Sequence, residues 1–288
     1  MIVFLNDRRI YNYRYRSELM LEAQKSDDID SIGLFDDLSS WRKFFGYINN
    51  PIGVRFISSN IKTNLIFCLF FNVPGVVILN GLGRQRNNSI FRCFLLFLFW
   101  ISRSSKKIAV QNYADYRYLT RFCLNKNLYW VPGSGGKARD YDPQNRNFFI
   151  ISRNDKVQKN LDAGKTMLRE LEVDELHVIG CDLDKNKSDL KNLIFHGYVK
   201  QESIFMFGSR FIQLPGYGEG LPHTLVDALV TGLEVFMERK HFIQFGLHKL
   251  GFSFVEIKEG FIKLKTNSEV ASDKIGYSII NKKYLALL

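Results

Sequence analysis

The chain has 288 residues, of which 46% are hydrophobic, 14% aromatic and 24% charged. This composition excludes a disordered, collagen-like or low-complexity chain and is enough for one large domain or two of ordinary size. Lysine and arginine (40) exceed aspartate and glutamate (29), so the formal net charge of +11 favours anionic partners. The four cysteines lie far apart without metal-ligand spacing, which predicts a reducing compartment and argues against a disulfide scaffold or a zinc ribbon.

The sequence predicts neither secretion nor a membrane span. Arg8 and Arg9 stand where a signal peptide needs its apolar stretch. The longest apolar run, residues 93–101, has nine residues, whereas a bilayer span needs about twenty. We therefore expect a cytoplasmic protein.

In the first 140 residues, short apolar runs alternate with segments of helical length, the pattern of an α/β protein. The predicted strands are residues 2–5, 31–35, 54–58, 74–79, 107–110 and 128–131. The predicted helices are residues 16–24, 62–71, 89–102 and 113–122.

The polar stretch 137–147 has the composition of a linker, and the alternation restarts after it. The predicted strands of this half are residues 148–152, 177–179, 194–198, 211–214, 235–238 and 254–257, and the helices are 161–171 and 221–231. The sequence therefore predicts two Rossmann-like α/β domains, 1–140 and 141–288.

The positive charge is concentrated in the first half. From Leu38 to Ala114 there are ten basic residues and no acidic one. The same stretch contains the aromatic segment 91–100, and basic residues beside such a segment are typical of a helix lying on an anionic membrane. The segment is apolar all round, so a buried core helix fits it as well. No nucleic-acid-binding motif accompanies the charge, and we expect no nucleic-acid partner.

Residues 214–232 carry the most specific pattern: a strand end, a glycine-rich turn and a helix beginning near Pro222. Unpaired amides at such a helix start bind anions such as a diphosphate. The amides in question belong to Gly220, Leu221, His223 and Thr224. Glu219 and Asp227 flank this turn as acceptors for sugar hydroxyls, although a capped helix with a solvated acid at each end fits the spacing equally well.

Residues 219–228 (EGLPHTLVDA) closely resemble the E-x7-E motif of the retaining family-four glycosyltransferases, which have the GT-B fold. In that family the first acid contacts the donor sugar and the second contacts the nucleotide ribose. The resemblance implies these roles for Glu219 and Asp227, and donor binding for residues 220–224. Asp227 is one methylene shorter than the family's glutamate.

Upstream, residues 150–163 resemble the family's strand-end Arg-x5-Lys pattern. The resemblance implies that Arg153 and Lys159 neutralise the donor diphosphate, with Lys156 as a possible substitute for Lys159. Fixed cations stabilise the negative charge that grows on the leaving phosphate as the sugar–phosphate bond breaks. The order of the two segments along the chain agrees with the family.

Other segments also resemble the family and occur in the same order along the chain. Residues 76–84 are similar to the strand-then-GLG segment of the subgroup that builds bacterial surface glycans, which implies an acceptor or phosphate side at Gly81, Gly83 and Arg84. Residues 196–199 resemble the strand entering the base pocket, and so imply a donor contact for Tyr198. The resemblance covers roughly residues 60–235.

The chain also departs from the family. No histidine precedes His177, although many members place one in the N-terminal domain near the reacting sugar. The chain is short after residue 240, which predicts that the family's C-terminal crossover helix is missing.

The sequence predicts no metal site and no cofactor besides the nucleotide-sugar co-substrate. There is no HExxH. Asp182 and Asp184 spell D-x-D, but they follow a predicted strand among lysines and are interpreted as a solvated turn.

The resemblance implies a GT-B fold, two Rossmann-like domains with a cleft between them. It implies a retaining, metal-independent transfer from a UDP-sugar to a lipid-linked glycan in O-antigen or capsule synthesis, by a peripheral protein on the cytoplasmic face of the inner membrane. A catalytically degenerate relative that serves as a binding subunit of a glycan-assembly complex is the alternative. A basic nucleic-acid-binding protein is a third hypothesis.

Overall fold

The computed structural model describes residues 1–82, 88–122, 125–152, 169, 175–181, 193–214, 220–258 and 260–288. The chain forms two compact units. The first unit comprises Met1–Gly135, Tyr217–Pro222 and Tyr277–Leu288, and the second unit comprises Gly136–Gly216 and His223–Gly276.

The first unit contains a six-stranded sheet in the order β2-β1-β3-β4-β5-β6, and every pairing in it is parallel. Its strands are β1 (Ile2–Asn6), β2 (Ile29–Gly33), β3 (Arg55–Ser59), β4 (Gly75–Leu79), β5 (Lys106–Val110) and β6 (Leu128–Trp130). Strand β1 is buried at every position, as expected for a parallel sheet that is covered on both faces. Each strand predicted for this half is confirmed to within a few residues.

The helices of the first unit are α1 (Arg9–Tyr15), α2 (Ser17–Gln24), α3 (Leu38–Asn49), α4 (Ile61–Leu69), α5 (Ser89–Ser102), α6 (Tyr113–Thr120) and, at the end of the chain, α10 (Tyr277–Leu285). Alternation along β1 divides the core: Val3 and Leu5 pack with α3, α4 and α5 on one face, and Ile2 and Phe4 pack with α2 and α10 on the other. Among the described helices, none is long and apolar enough to cross a bilayer.

The second unit contains a seven-stranded sheet in the order β12-β13-β11-β10-β7-β8-β9. Its strands are β7 (Phe148–Ile151), β8 (Leu176–Ile179), β9 (Leu193–Phe195), β10 (Arg210–Ile212), β11 (Glu234–Glu238), β12 (Ser253–Lys258) and β13 (Phe261–Lys265). Its helices are α7 (His223–Thr231), α8 (Arg239–Phe245) and α9 (Ser268–Ile275). Strands β7 to β11 pair in parallel, whereas β13 runs antiparallel to both β11 and β12. The sequence analysis did not predict β13.

The last helix belongs to the first unit, whereas the predicted range 141–288 placed it in the second. Ile280 and Tyr284 of α10 are fully buried against the first sheet, beside Leu19 and Met20 of α2. The prediction that the chain lacks a C-terminal crossover helix is therefore wrong. The physical reason is that Ile280 and Tyr284, one helical turn apart, bury one side of α10, and Leu285, Leu287 and Leu288 pack against the same core.

Lys106, the first residue of β5, is completely buried. Its Nζ donates hydrogen bonds to the carbonyl oxygens of Phe70, at 2.8 Å, and of Val73, and lies 4.2 Å from the ring centroid of Phe67. Burial lowers the pKa of Lys106 to about 8 and raises the pKa of the neighbouring Cys68 thiol to about 11. The two groups therefore make opposite contributions to the alkaline pH dependence of stability.

We expect the contribution of Lys106 to the free energy of unfolding to rise between about pH 8 and pH 10.5. In that window the unfolded chain keeps a proton that the folded chain has lost, and the total gain is about 3 kcal/mol. Lys106→Met removes this rise and leaves the opposite slopes of groups whose pKa is raised, among them Cys68 above pH 9 and Tyr47, with a pKa of about 12, above pH 10. Urea unfolding from pH 7 to pH 11 measures the difference, with Lys107→Met as the matched control. Parallel profiles for wild type and Lys106→Met would contradict the assignment.

Candidate functional site

Polar side chains collect at the carboxyl edge of the first sheet, where all its parallel strands end. Each is the last residue of a strand or follows one closely: Asn6 (β1), Ser59 and Asn60 (β3), Asn80 (β4), Gln111 (β5) and Ser134 (β6). Strand β1 lies between β2 and β3, so the chain reverses its direction of progress across the sheet at this point. The edge beside such a reversal is the usual ligand position in open α/β sheets.

Hydrogen bonds join these strand ends to one another. The Asn60 amide donates to Asn6 Oδ1 at 2.5 Å, and the Asn80 amide donates to Asn60 Oδ1 at 3.3 Å. Asn60 has a φ of 70° and is the one non-glycine residue with positive φ in the part of the chain that the structure describes. Backbone strain of this kind is common at functional sites and persists because the surroundings enforce it.

Arg16 lies in the break between α1 and α2 and is only 3% exposed. Its Nη2 donates to Asn80 Oδ1 at 2.6 Å, its Nη1 to Ser134 Oγ at 2.5 Å, and its Nε to Ser59 Oγ at 3.3 Å. The guanidinium carbon lies 5.8 Å from the ring centroid of Tyr284. All of these partners are uncharged, and burial lowers the pKa of Arg16.

Tyr284 of α10 connects the end of the chain to the same cluster. Its hydroxyl donates to the carbonyl oxygen of Gly133 at 2.7 Å and accepts from Gln111 Nε2 at 2.9 Å, and Gln111 Nε2 also lies 3.1 Å from Ser134 Oγ. Burial raises the pKa of this tyrosine, so the hydroxyl keeps its proton and remains a donor. The sequence analysis assigned no function to Arg16 or Tyr284, since neither stands in a recognised motif.

The structure brings one predicted donor-binding residue to this edge. Gly220 lies in the first unit, and a Cβ placed on it would overlap the carbonyl oxygen of Asn80 and lie 3.0 Å from Gln111 Oε1. Only glycine fits so close a backbone approach. The predicted Gly81 follows Asn80 directly and has a φ of 150°, while Leu221 is buried and Pro222 half-buried.

Asp227 lies in the second unit, on α7, and is 6% exposed. Its Oδ1 accepts from the Lys137 backbone N–H at 2.9 Å, and its Oδ2 accepts from Arg139 Nη2 at 3.2 Å and Nε at 3.3 Å. Burial raises the pKa of Asp227 more than these donors lower it. The alternative that Asp227 is a solvated acid is therefore wrong, and its role towards a ribose stays a prediction. His223 and Thr224 lie half-buried at the start of α7.

Tyr198 follows β9 in the second unit and is 74% exposed. Near it, His177 Nδ1 lies 2.8 Å from His196 Nε2, and the ring of Phe207 lies 4.2 Å from that of His196. Burial lowers the pKa of both histidines, so a neutral pair with one shared hydrogen is favoured. The contact of Tyr198 with a nucleotide base stays a prediction.

Several predicted residues lie outside the described residues. They are Gly83, Arg84, Arg153, Lys156, Lys159, Asp182, Asp184 and Glu219, together with all of the predicted helix 161–171 except Arg169, which is helical. Among the residues that are described, no group of three or more His, Cys, Asp or Glu side chains could hold a metal ion.

No protein-family model and no curated protein matches this sequence. Solved structures match at low identity. The galactosyltransferase of the lipopolysaccharide outer core, WaaB, has a TM-score of 0.53 at 13% identity, over 81% of this chain and 79% of WaaB. The UDP-GlcNAc 2-epimerase from Neisseria meningitidis has a TM-score of 0.55 at 9% identity, over 100% and 99% of the two chains. TarM has a TM-score of 0.51 at 12% identity, and this chain spans 54% of it.

The fold is thus the two-domain, Rossmann-like GT-B fold, as the sequence predicted. Identities this low establish the fold alone, and the fold is shared by a transferase and an epimerase. The chemistry must therefore be argued from this chain's own residues.

Proposed function

We propose that this chain is a glycosyltransferase that moves a sugar from a nucleotide donor, a UDP-sugar, to a lipid-linked glycan of a bacterial surface polysaccharide. The position of Gly220 carries the proposal. This glycine belongs to the donor motif 219–228, and it fits against Asn80 at the edge of the first sheet where α/β proteins bind ligands. The epimerase of the same fold was crystallised with UDP-GlcNAc, and WaaB acts on lipopolysaccharide.

In the proposed reaction, the bond between the donor sugar carbon and the diphosphate breaks while an acceptor hydroxyl bonds to that carbon from the same side. The proton of the hydroxyl passes to the leaving phosphate, and the configuration of the sugar is retained. Arg153 and Lys159 would stabilise the charge that develops on the diphosphate. Glu219 would bind the donor sugar and Asp227 the ribose.

The test is turnover of a panel of UDP- and GDP-sugars with membrane extract as acceptor. Transfer that is lost in Glu219→Ala and kept in Glu202→Ala, an exposed acid of the second unit, would support the proposal. Binding without turnover would favour the degenerate binding subunit instead. If no nucleotide sugar binds, the assignment of the donor site is wrong.

An epimerase is a second candidate, because the epimerase alignment spans essentially both chains. The same panel without acceptor separates the two functions. An epimerase converts the UDP-sugar into an isomer, whereas a transferase leaves it unchanged or hydrolyses it slowly. Chromatography of the nucleotide sugars distinguishes these products.

We also propose that helix α5 holds the protein on the cytoplasmic face of an anionic membrane. The inner side of the helix buries Leu95, Leu98 and Phe99 in the first core. The opposite side exposes four large apolar side chains at helical spacing, Ile90, Phe94, Phe97 and Trp100. The absence of acidic residues from Leu38 to Ala114 suits anionic headgroups, and each basic residue near them contributes about 1 kcal/mol.

Changing Phe94, Phe97 and Trp100 together to serine is expected to weaken binding to phosphatidylglycerol-containing vesicles by about 100-fold or more, because three exposed aromatic side chains that would enter the bilayer are lost. Vesicle co-sedimentation measures this. The matched control changes Met206, Ile243 and Val255 of the second unit, which are similarly exposed. Equal binding by both triple variants, or equal binding of wild type to phosphatidylcholine vesicles, would contradict this membrane orientation.

A further inference from the structure

Arg16 is a buried positive charge whose partners, among the described residues, are all neutral. Its hydrogen bonds go to two hydroxyls and an amide oxygen, and its guanidinium faces the Tyr284 ring. A charge withdrawn from water in this way costs free energy unless a counter-charge is brought to it. Among the described residues no carboxylate pairs with Arg16, and the phosphate of a ligand would supply such a counter-charge.

The position of Arg16 points the same way. It contacts Ser59 at the end of β3 and Asn80 after β4, at the carboxyl edge where the strand order reverses. Asn60, the strained residue with positive φ, lies between Asn6 and Asn80 in the same cluster. A buried cation, a strand-order reversal and a strained backbone are three independent observations at one place.

We propose that Arg16, with Asn80 and Ser134, forms a subsite for the phosphate or diphosphate group of a ligand. The identity of that ligand rests on the proposed function, whereas the subsite itself does not. The source of the phosphate is either the nucleoside diphosphate of the donor or the polyprenyl diphosphate of the lipid-linked acceptor.

The geometry allows a ligand anion to replace the neutral partners of Arg16. Asn80 and Ser134, the partners of the two Nη groups, are half-exposed, so an anion arriving from solvent meets these side chains first. A guanidinium has five N–H donors, and Ser59, Ser134 and Asn80 each accept from a different nitrogen of Arg16. A phosphate oxygen can replace a neutral acceptor, because a charged acceptor makes the stronger hydrogen bond with a guanidinium.

The test is calorimetric titration of the full chain with two probes, UDP and farnesyl diphosphate. Arg16→Met is expected to lower the affinity for the probe that occupies the subsite by about 10- to 100-fold, the range for the loss of a hydrogen bond to a charged group. Arg16→Lys keeps the charge but loses the planar set of guanidinium donors, so its affinity is expected to lie between those of wild type and Arg16→Met. Arg14→Met, which removes an exposed arginine two residues away, is the matched control and is expected to bind like wild type.

Ser134→Ala removes one hydroxyl from the subsite and keeps the proposal testable if Arg16→Met does not fold. Weaker binding of UDP in Arg16→Lys and Ser134→Ala assigns the subsite to the donor, and weaker binding of farnesyl diphosphate assigns it to the acceptor. If all folded variants bind both probes as tightly as wild type, the subsite is refuted while the proposed function stands. If wild type binds farnesyl diphosphate through Arg16 but no nucleotide, the subsite stands and the proposed function fails.

Discussion

Replacing Gly220 with alanine is expected to lower kcat/KM for the nucleotide sugar by about 100-fold and the free energy of unfolding by about 1–3 kcal/mol. The added Cβ would overlap the carbonyl oxygen of Asn80. That oxygen is a main-chain atom at the end of a fully paired strand, so no side-chain rotation can relieve the overlap. Either residues 220–222 or the end of β4 must move, and a displacement of about 1 Å is enough to cost two orders of magnitude in rate.

Gly46→Ala is the matched control for this substitution. Gly46 lies within α3, and a Cβ placed on it meets no atom within 4 Å. Alanine there is expected to raise the free energy of unfolding by about 1 kcal/mol through helix propensity and to leave turnover unchanged. Steady-state kinetics and urea unfolding measure both variants. Wild-type kinetics in Gly220→Ala would show that this glycine does not need its close approach to Asn80.

The strands could be predicted from the sequence because buried parallel strands consist of short continuous apolar runs. Residues 74–79 are one example, and four of the five residues of β4 are fully buried. Helix α5 was predicted to the residue. Its start is fixed by Asn88, whose side chain accepts a hydrogen bond from the Phe91 backbone N–H at 3.0 Å.

Other elements were missed for different reasons. Helix α3 begins with an N-cap that a sequence can show, because Asp37 accepts a hydrogen bond from the Ser40 backbone N–H at 2.7 Å. The sequence analysis did not use this cap. Strand β13 alternates buried and half-buried residues and contains two lysines, so its apolar run is too short to stand out. Helix α10 is stabilised mainly by tertiary burial of Ile280 and Tyr284, which sequence periodicity does not reveal.

The candidate site was only partly predictable. A motif can be recognised when its residues are close in sequence, and Gly220 and Asp227 were found in this way. Arg16 was missed because its partner Ser134 is 118 residues away, and the ion pair of Asp227 was missed because Arg139 is 88 residues away. No spacing rule in a single sequence connects such residues.

Arg139→Met is expected to lower the free energy of unfolding by about 3 kcal/mol. The substitution leaves the Asp227 carboxylate, which is 6% exposed, with the Lys137 backbone N–H but without the two guanidinium donors. Because burial already raises the pKa of Asp227, the loss of Arg139 is expected to raise it further. Urea unfolding at pH 7 measures the cost. Arg239→Met, which breaks an exposed pair with Glu256, is expected to cost less than about 1 kcal/mol.

Asp227→Asn in the Arg139→Met background is expected to recover at least half of the lost stability. Asparagine removes the uncompensated charge and still presents an oxygen to the Lys137 backbone N–H, so the double-mutant cycle isolates the ionic part of the pair. The double variant also tests the role of Asp227 towards the donor, since it is stable enough to titrate with UDP. If it binds UDP as well as wild type does, the carboxylate serves the second unit's stability alone. If its UDP affinity falls by about tenfold below that of Arg139→Met while its stability recovers, a ribose hydroxyl uses the Asp227 carboxylate as its acceptor.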